Sequence, residues 1–157
     1  PVPSPEAEKL GVTFVSVDEL LAQSDFLSLH AALTPQSRGI IGENQLRRMK
    51  RTAYLINTGR GPLVDEAALG RALHDGIIAG AALDTFVTEP LPADHPIRTC
   101  PNVLLTPHLA GFARETGERV SATSARAMFD LMGGRMPEFV VNPEVFQSPG
   151  LRSKLAG

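Results

Sequence analysis

Little in this sequence pulls it away from an ordinary globular protein of a reducing compartment. It has one cysteine, Cys100, which can form no internal disulfide. Set between Thr99 and Pro101 with no neighbouring base, that thiol has nothing to activate it and reads as a bystander. No apolar run approaches the ~20 residues needed to cross a bilayer. Residues Pro1 to Glu6 lack the charged and hydrophobic regions of a signal peptide, so a soluble, cytoplasmic protein is expected. Fifteen Lys and Arg against 17 Asp and Glu give a net charge of −2. That balance offers no electrostatic footprint for nucleic acid or for a membrane surface, and no metal site is expected. No Gly-x-Gly-x-x-Gly precedes a helix anywhere. The nearest approach, Gly59-Arg60-Gly61-Pro62, is broken by Pro62, so the chain lacks a backbone cradle for a pyrophosphate.

What is present is an alternation of short apolar runs with helix-patterned stretches. The runs Thr13 to Val15, Phe26 to Leu29, Ala53 to Ile56, Ile77 to Leu83 and Val103 to Leu105 are too short for helices and mostly free of charge. They read as strands of a parallel sheet covered on both faces, an α/β doubly wound fold. Asp65 caps a predicted helix carrying Leu69, Ala72 and Leu73, with Gly76 to end it. A long helix is predicted from about Ala113 to Met132, closed by Gly133-Gly134, with Val120, Ala127, Met128 and Leu131 at helical spacing. Asp18 starts a shorter helix through Leu20 and Leu21, and another opens at Glu43 and closes at Arg51. On that reading the run Arg47, Arg48, Lys50, Arg51 is a solvated helix end whose cations complement the dipole. The tail after Pro137, with Asn142, Pro143, Pro149 and Gly150, is expected to be extended.

In an open parallel sheet, ligands bind beyond the carboxyl ends of the strands. His30, the segment Asn57 to Gly61, Asp84 with Glu89, and the triplet Thr106 to His108 all follow predicted strands and fall on one rim. Singly each has an ordinary reading: Arg60 as a turn residue between glycines, Glu89 as a loop carboxylate, His108 as a cap. Jointly they supply an arginine fork for a carboxylate, a histidine that exchanges protons near neutrality, and a glutamate beside it. Such parts suit the reduction of a 2-oxo acid. His95, before a proline in a loop, and His74, in a last helical turn, are left out of the site.

At these residues a resemblance becomes plain. The segments DFLSLH at 25–30, LTP at 33–35, INTGRG at 56–61, LVDE at 63–66, AGAALD at 79–84, EPLP at 89–92 and LTPH at 105–108 resemble, in order and spacing, the D-isomer-specific 2-hydroxyacid dehydrogenases. The similarity runs from about Gly11 to Asn142. It implies a partial Rossmann-like sheet lacking the first βαβ unit, with residues 1–112 a partial nucleotide-binding domain. Residues 113–142 would be a long helix and return segment toward a substrate domain, and 143–157 an extended tail.

The resemblance also implies roles. Arg60 matches the arginine that binds the substrate carboxylate and polarises its 2-oxo group, His108 the proton donor and acceptor, and Glu89 the carboxylate bonded to that histidine. Asp84 aligns with the residue holding the nicotinamide carboxamide. Thr58 and the backbone around His30 and Gly111 align with positions lining the cofactor, expected to be NAD, with NADP left open. Ala32 stands where the family usually has proline and Gly59 where it often has alanine. The resemblance implies a homodimer and a chain that is part of a longer enzyme, inactive by itself, whose missing strands leave apolar edges and faces exposed. Relatives that serve as nucleotide-sensing corepressors carry the same catalytic-looking residues and form the alternative reading.

Overall fold

The computed structural model of the chain describes residue 7 and residues 9–148, and these fall into two compact units that divide between Ala110 and Gly111. The first unit holds a four-stranded parallel sheet in sequence order, β1 (Phe26–Leu29), β2 (Tyr54–Asn57), β3 (Gly80–Leu83) and β4 (Val103–Leu105). Among its helices are α1 (Val17–Gln23), α2 (Glu43–Leu46) and α3 (Glu66–His74), with 3₁₀ turns at Gly61–Leu63 and Pro96–Thr99. The second unit carries α4 (Arg114–Met132) and a 3₁₀ turn at Pro143–Gln147.

Two of these helices, α1 and α3, start at a side-chain cap. Ser16, and not Asp18, caps α1: its hydroxyl accepts from the Glu19 amide while the Glu19 carboxylate accepts from the Ser16 amide, a reciprocal capping box. Asp65 caps α3 through the Ala68 amide at 3.0 Å, and Gly76 closes it with φ of +64°. Leu69, Ala72 and Leu73 are buried as the spacing predicts. The long helix α4 stops at Gly133 as expected, although no residue along it is buried.

Three expectations need correction. Thr13 to Val15 is not a strand; Val12, Phe14 and Val15 are exposed, and β1 forms the sheet edge, so this run has no neighbour to complete its hydrogen bonds. The predicted strand from Ile77 begins only at Gly80, because Ile77 is spent closing α3 through a bond from its amide to Ala72 O. The helix expected over 43–51 ends at Leu46 with Arg47 as its cap, so it closes at the start of the basic run and not at Arg51. Arg47 pairs with Glu43 one turn back at the same helix, while the other cations tie separate elements together: Arg48 to Asp18, Lys50 to Asp25, and Arg51 to the carbonyl of Gly76. The Pro149 and Gly150 of the predicted extended tail lie outside the described residues, as do Pro1 to Glu6.

The two-sided cover expected of the sheet is also only half realised. Leu27, Leu55 and Ala81 share a row and are buried, as are Asn57 and Leu83 in the row above, and with α3 they form the core. On the opposite face Phe26 and Tyr54 stack at 5.7 Å yet stay exposed, and Leu104 is 65% exposed. One face of the sheet is therefore core and the other is open.

Candidate active site

Register brings the strand ends together. Leu29, Asn57, Leu83 and Leu105 occupy one row, so His30, Thr58, Asp84 and Thr106 leave the sheet at the same carboxyl edge. Three loops rising from that edge carry the candidate residues, and each is organised by a buried or half-buried polar side chain.

The loop after β2 presents Arg60. Asn57 is buried, and its amide group spans the turn: Oδ1 accepts from the Gly59 amide at 3.1 Å and Nδ2 donates to the Arg60 carbonyl at 3.0 Å. This Asx-type turn fixes the backbone on both sides of Arg60, whose guanidinium is exposed and donates to Gly59 O. Directly after it, Gly61 lies against the loop that follows β3. A Cβ there would stand 2.0 Å from the Phe86 carbonyl carbon, so only glycine permits the approach.

The loops after β3 and β4 are built on two carboxylates. Asp84 is buried and grips the third loop at both ends: the Thr106 hydroxyl and the Leu109 amide donate to Oδ1, and the Ala110 amide to Oδ2 at 2.9 Å. Burial works to raise the Asp84 pKa, but those donors and the His108 charge prevail and hold it below the usual aspartate value. Between the gripped ends His108 adopts φ of +58°, a left-handed conformation rare for a residue with a side chain. Its Nδ1 meets Glu89 Oε2 at 2.7 Å, and because a carboxylate can only accept, Nδ1 carries the proton. Glu89 Oε1 in turn accepts from the Phe86 amide at 2.8 Å. The bond from His108 and then that from Phe86 draw the Glu89 pKa below its usual value, assisted by the charges of His108 and Arg60, against a smaller opposing effect of burial.

This arrangement leaves His108 Nε2 open beside a glutamate held below its usual carboxylate range, with a guanidinium on the same rim. Two clefts flank it. One, of about 580 Å³, is lined by His108, Glu89 and the apolar Phe86, Leu91 and Leu105. The other, of about 290 Å³, runs between Thr58, Asp84, Leu104 and Leu109. Of the sequence-derived cofactor positions, Thr58 and Asp84 thus share one cleft. His30 instead bonds Ser28 Oγ through Nε2 at 2.8 Å and is not among the residues lining that cleft, and Gly111 opens the second compact unit. Among the described residues no cluster of three potential metal ligands occurs.

Residues 1–110 match the family model described as D-isomer specific 2-hydroxyacid dehydrogenase, NAD binding domain. The chain belongs to this family. It is 48% identical over 134 residues to the glyoxylate reductase of Thermofilum pendens, covering 85% of this chain and 40% of that protein. Its fold is that of the D-isomer specific 2-hydroxyacid dehydrogenase from Lactobacillus delbrueckii ssp. bulgaricus in its NAD complexed form, with a TM-score of 0.82 at 35% identity over 89% of this chain and 46% of that one. A D-isomer specific 2-hydroxyacid dehydrogenase from Xanthobacter autotrophicus Py2, in complex with NADPH and MES, matches with a TM-score of 0.67 at 38% identity over 80% of this chain and 50% of that one. The chain spans about two fifths of the length of the curated relatives it matches.

Within this dehydrogenase domain, sequence reasoning missed the residues that hold the site in shape. Asn57 was quoted only as part of a motif, although an Asn two residues before a glycine is a readable turn signal. Gly61 gave no signal, since its neighbour Phe86 is 25 positions away and meets it only in the folded sheet. Cys100 packs with Sγ 3.8 Å from Gly70 O, and burial pushes its thiol pKa up, which suits the bystander expected.

Proposed function

We propose that the protein containing this chain is an NAD(P)-dependent D-2-hydroxyacid dehydrogenase that reduces a 2-oxo acid to the 2-hydroxy acid and catalyses the reverse. The observation that carries the reading is the 2.7 Å contact of His108 Nδ1 with Glu89 Oε2 on the rim that also bears Arg60. Arg60 pairs with the substrate carboxylate and draws electron density from the adjacent 2-oxo group. His108, as imidazolium, donates its Nε2 proton to the carbonyl oxygen and recovers it in the reverse direction, while ionised Glu89 fixes the ring and balances its charge. When bound, the reduced nicotinamide supplies the hydride. The cleft of Thr58, Asp84, Leu104 and Leu109 suits that group: it is apolar, opens at the strand ends, and offers one carboxylate. Three donors already occupy Asp84, leaving about one of its four lone-pair positions for a carboxamide. Recognition of the pyrophosphate falls to residues outside this chain, which has no glycine fingerprint.

The relatives' names make glyoxylate and hydroxypyruvate the first 2-oxo acids to test, with either cofactor. The same reading assigns residues 1–112 to the nucleotide domain and 113–142 to the return toward a substrate domain, in a cytoplasmic homodimer. In the full-length protein, His108→Ala lowers kcat about 10²- to 10⁴-fold, the usual worth of a positioned acid–base group. Failure of the wild type to turn over glyoxylate, hydroxypyruvate, pyruvate and phosphohydroxypyruvate with both NADH and NADPH overturns the proposal.

A further inference from the structure

Outside the dyad, a second carboxylate reaches the same loop. Glu66 is the first residue of α3, and its Oε1 accepts from the Val87 amide, 21 residues away in sequence, at 2.8 Å. Its Oε2 lies 3.4 Å from His95 Nε2, and the pair is mostly enclosed, with 12% and 23% of the side chains exposed. The ring of His95 is oriented in turn: Nδ1 accepts from the Ile97 amide at 3.3 Å, which leaves the proton of a neutral imidazole on Nε2, facing Glu66. Adjacent amides of one loop are thus held by two different glutamates, Phe86 by Glu89 and Val87 by Glu66.

The consequence lies in what Glu89 must do. It uses one oxygen on its own loop and the other on His108, so its aim depends on where that loop sits. Gly61 supports Phe86 from below but provides only contact, whereas Glu66 supplies a directional bond from a helix anchored in the core. We infer that Glu66, oriented by His95, is a positioning residue that sets the loop carrying Glu89 and through it the alignment of His108. Neither Glu66 nor His95 lines the cleft beside His108. The inference rests on the dehydrogenase reading and deepens it, since the group positioned is the proposed acid–base pair.

The test uses the full-length protein with glyoxylate and NADH, or whichever pair the wild type turns over. Glu66→Ala lowers kcat about 10- to 100-fold, the scale of a misplacement near 1 Å, leaves the KM for cofactor within about twofold, and moves the pH profile of kcat. Glu66→Gln, whose amide oxygen can still accept from Val87, retains kcat within about threefold. If the alanine variant does not fold, Glu66→Asp replaces it, being one methylene too short to reach Val87 while keeping the charge at the helix start. A change in thermal stability with kcat and pH profile both unmoved overturns the inference. The imidazole NMR resonances of His108 supply a readout that needs no turnover: they shift in the Ala or Asp variant and stay near wild type in Gln. A silent wild type would therefore sink the proposed function, and unmoved His108 resonances would sink this inference separately.

Discussion

Asp84 and Glu89 show how a single carboxylate can organise a loop and a charge together. Both are held below their ordinary pKa values, about 3.9 for aspartate and 4.3 for glutamate, chiefly by donors from the loops they fasten. A depressed folded-state value means that the unfolded chain binds protons more readily, so each group contributes stability above its ordinary value. That contribution is lost as pH falls from the ordinary value through the depressed one. Acid titration of the melting temperature should therefore hold level down to about pH 4 and then drop. Asp84→Asn should be less stable than wild type at neutral pH, because its NH₂ group faces the amides that the carboxylate accepted from. The gap between the two proteins should narrow below about pH 4, where Asp84 of the unfolded wild-type chain takes up a proton that the folded state still resists. A gap that stays constant from pH 7 to pH 2 would show that the Asp84 charge contributes nothing to folding.

Between elements, the decisive contact is Gly61 against Phe86, because it joins the turn that presents Arg60 to the loop that presents Glu89. A methyl group on Gly61 would meet Phe86 carbonyl carbon, oxygen and Cα at 2.0, 2.2 and 2.5 Å, all backbone atoms that cannot rotate aside. Gly61→Ala should thus cost at least the ~1–3 kcal/mol of an overpacked core and reduce kcat together with stability, as read by urea denaturation and turnover. Gly117→Ala, in α4 with nothing within 4 Å of the added methyl, is the matching control and should be neutral or stabilising by up to ~1 kcal/mol. Equal losses in the two variants would remove the packing argument. The same scale shows what could be read in advance. Strands β1 and β4 and the Asp65 cap of α3 follow from local pattern, because three apolar residues in a short run between polar turns and an aspartate before an apolar face state their own structure. Arg60, Glu89 and His108 were legible by resemblance and by their place after strands. The bonds of Glu66 to Val87 and of Asp84 to Leu109 were not, since residues 21 and 25 apart meet only once sheet order has set which loops are neighbours. Thr13 to Val15 failed for a related reason: a strand needs a partner, and an apolar run alone does not say whether one exists.

For the whole molecule, the asymmetry of the sheet is the property with the widest reach. Every second residue of each strand points to one face, and here one set is core while the other, with Phe26, Tyr54 and Leu104, faces solvent. The chain spans two fifths of the length of its relatives, and exposed apolar surface of this kind is what a further layer of polypeptide would cover, which a substitution can test. Phe26→Lys distinguishes a covered face from an indifferent one. In the 157-residue chain by itself, a side chain already 69% exposed has little burial to lose, so stability should move by no more than about 0.5 kcal/mol, while binding of a hydrophobic dye and self-association should fall. In the full-length protein the same charge would be forced under a covering layer, and the loss should exceed about 2 kcal/mol, the scale of burying a side chain that cannot be satisfied. Denaturant titration of the two proteins side by side reads the difference directly. Equal, small effects in both would mean that no further layer covers the open face.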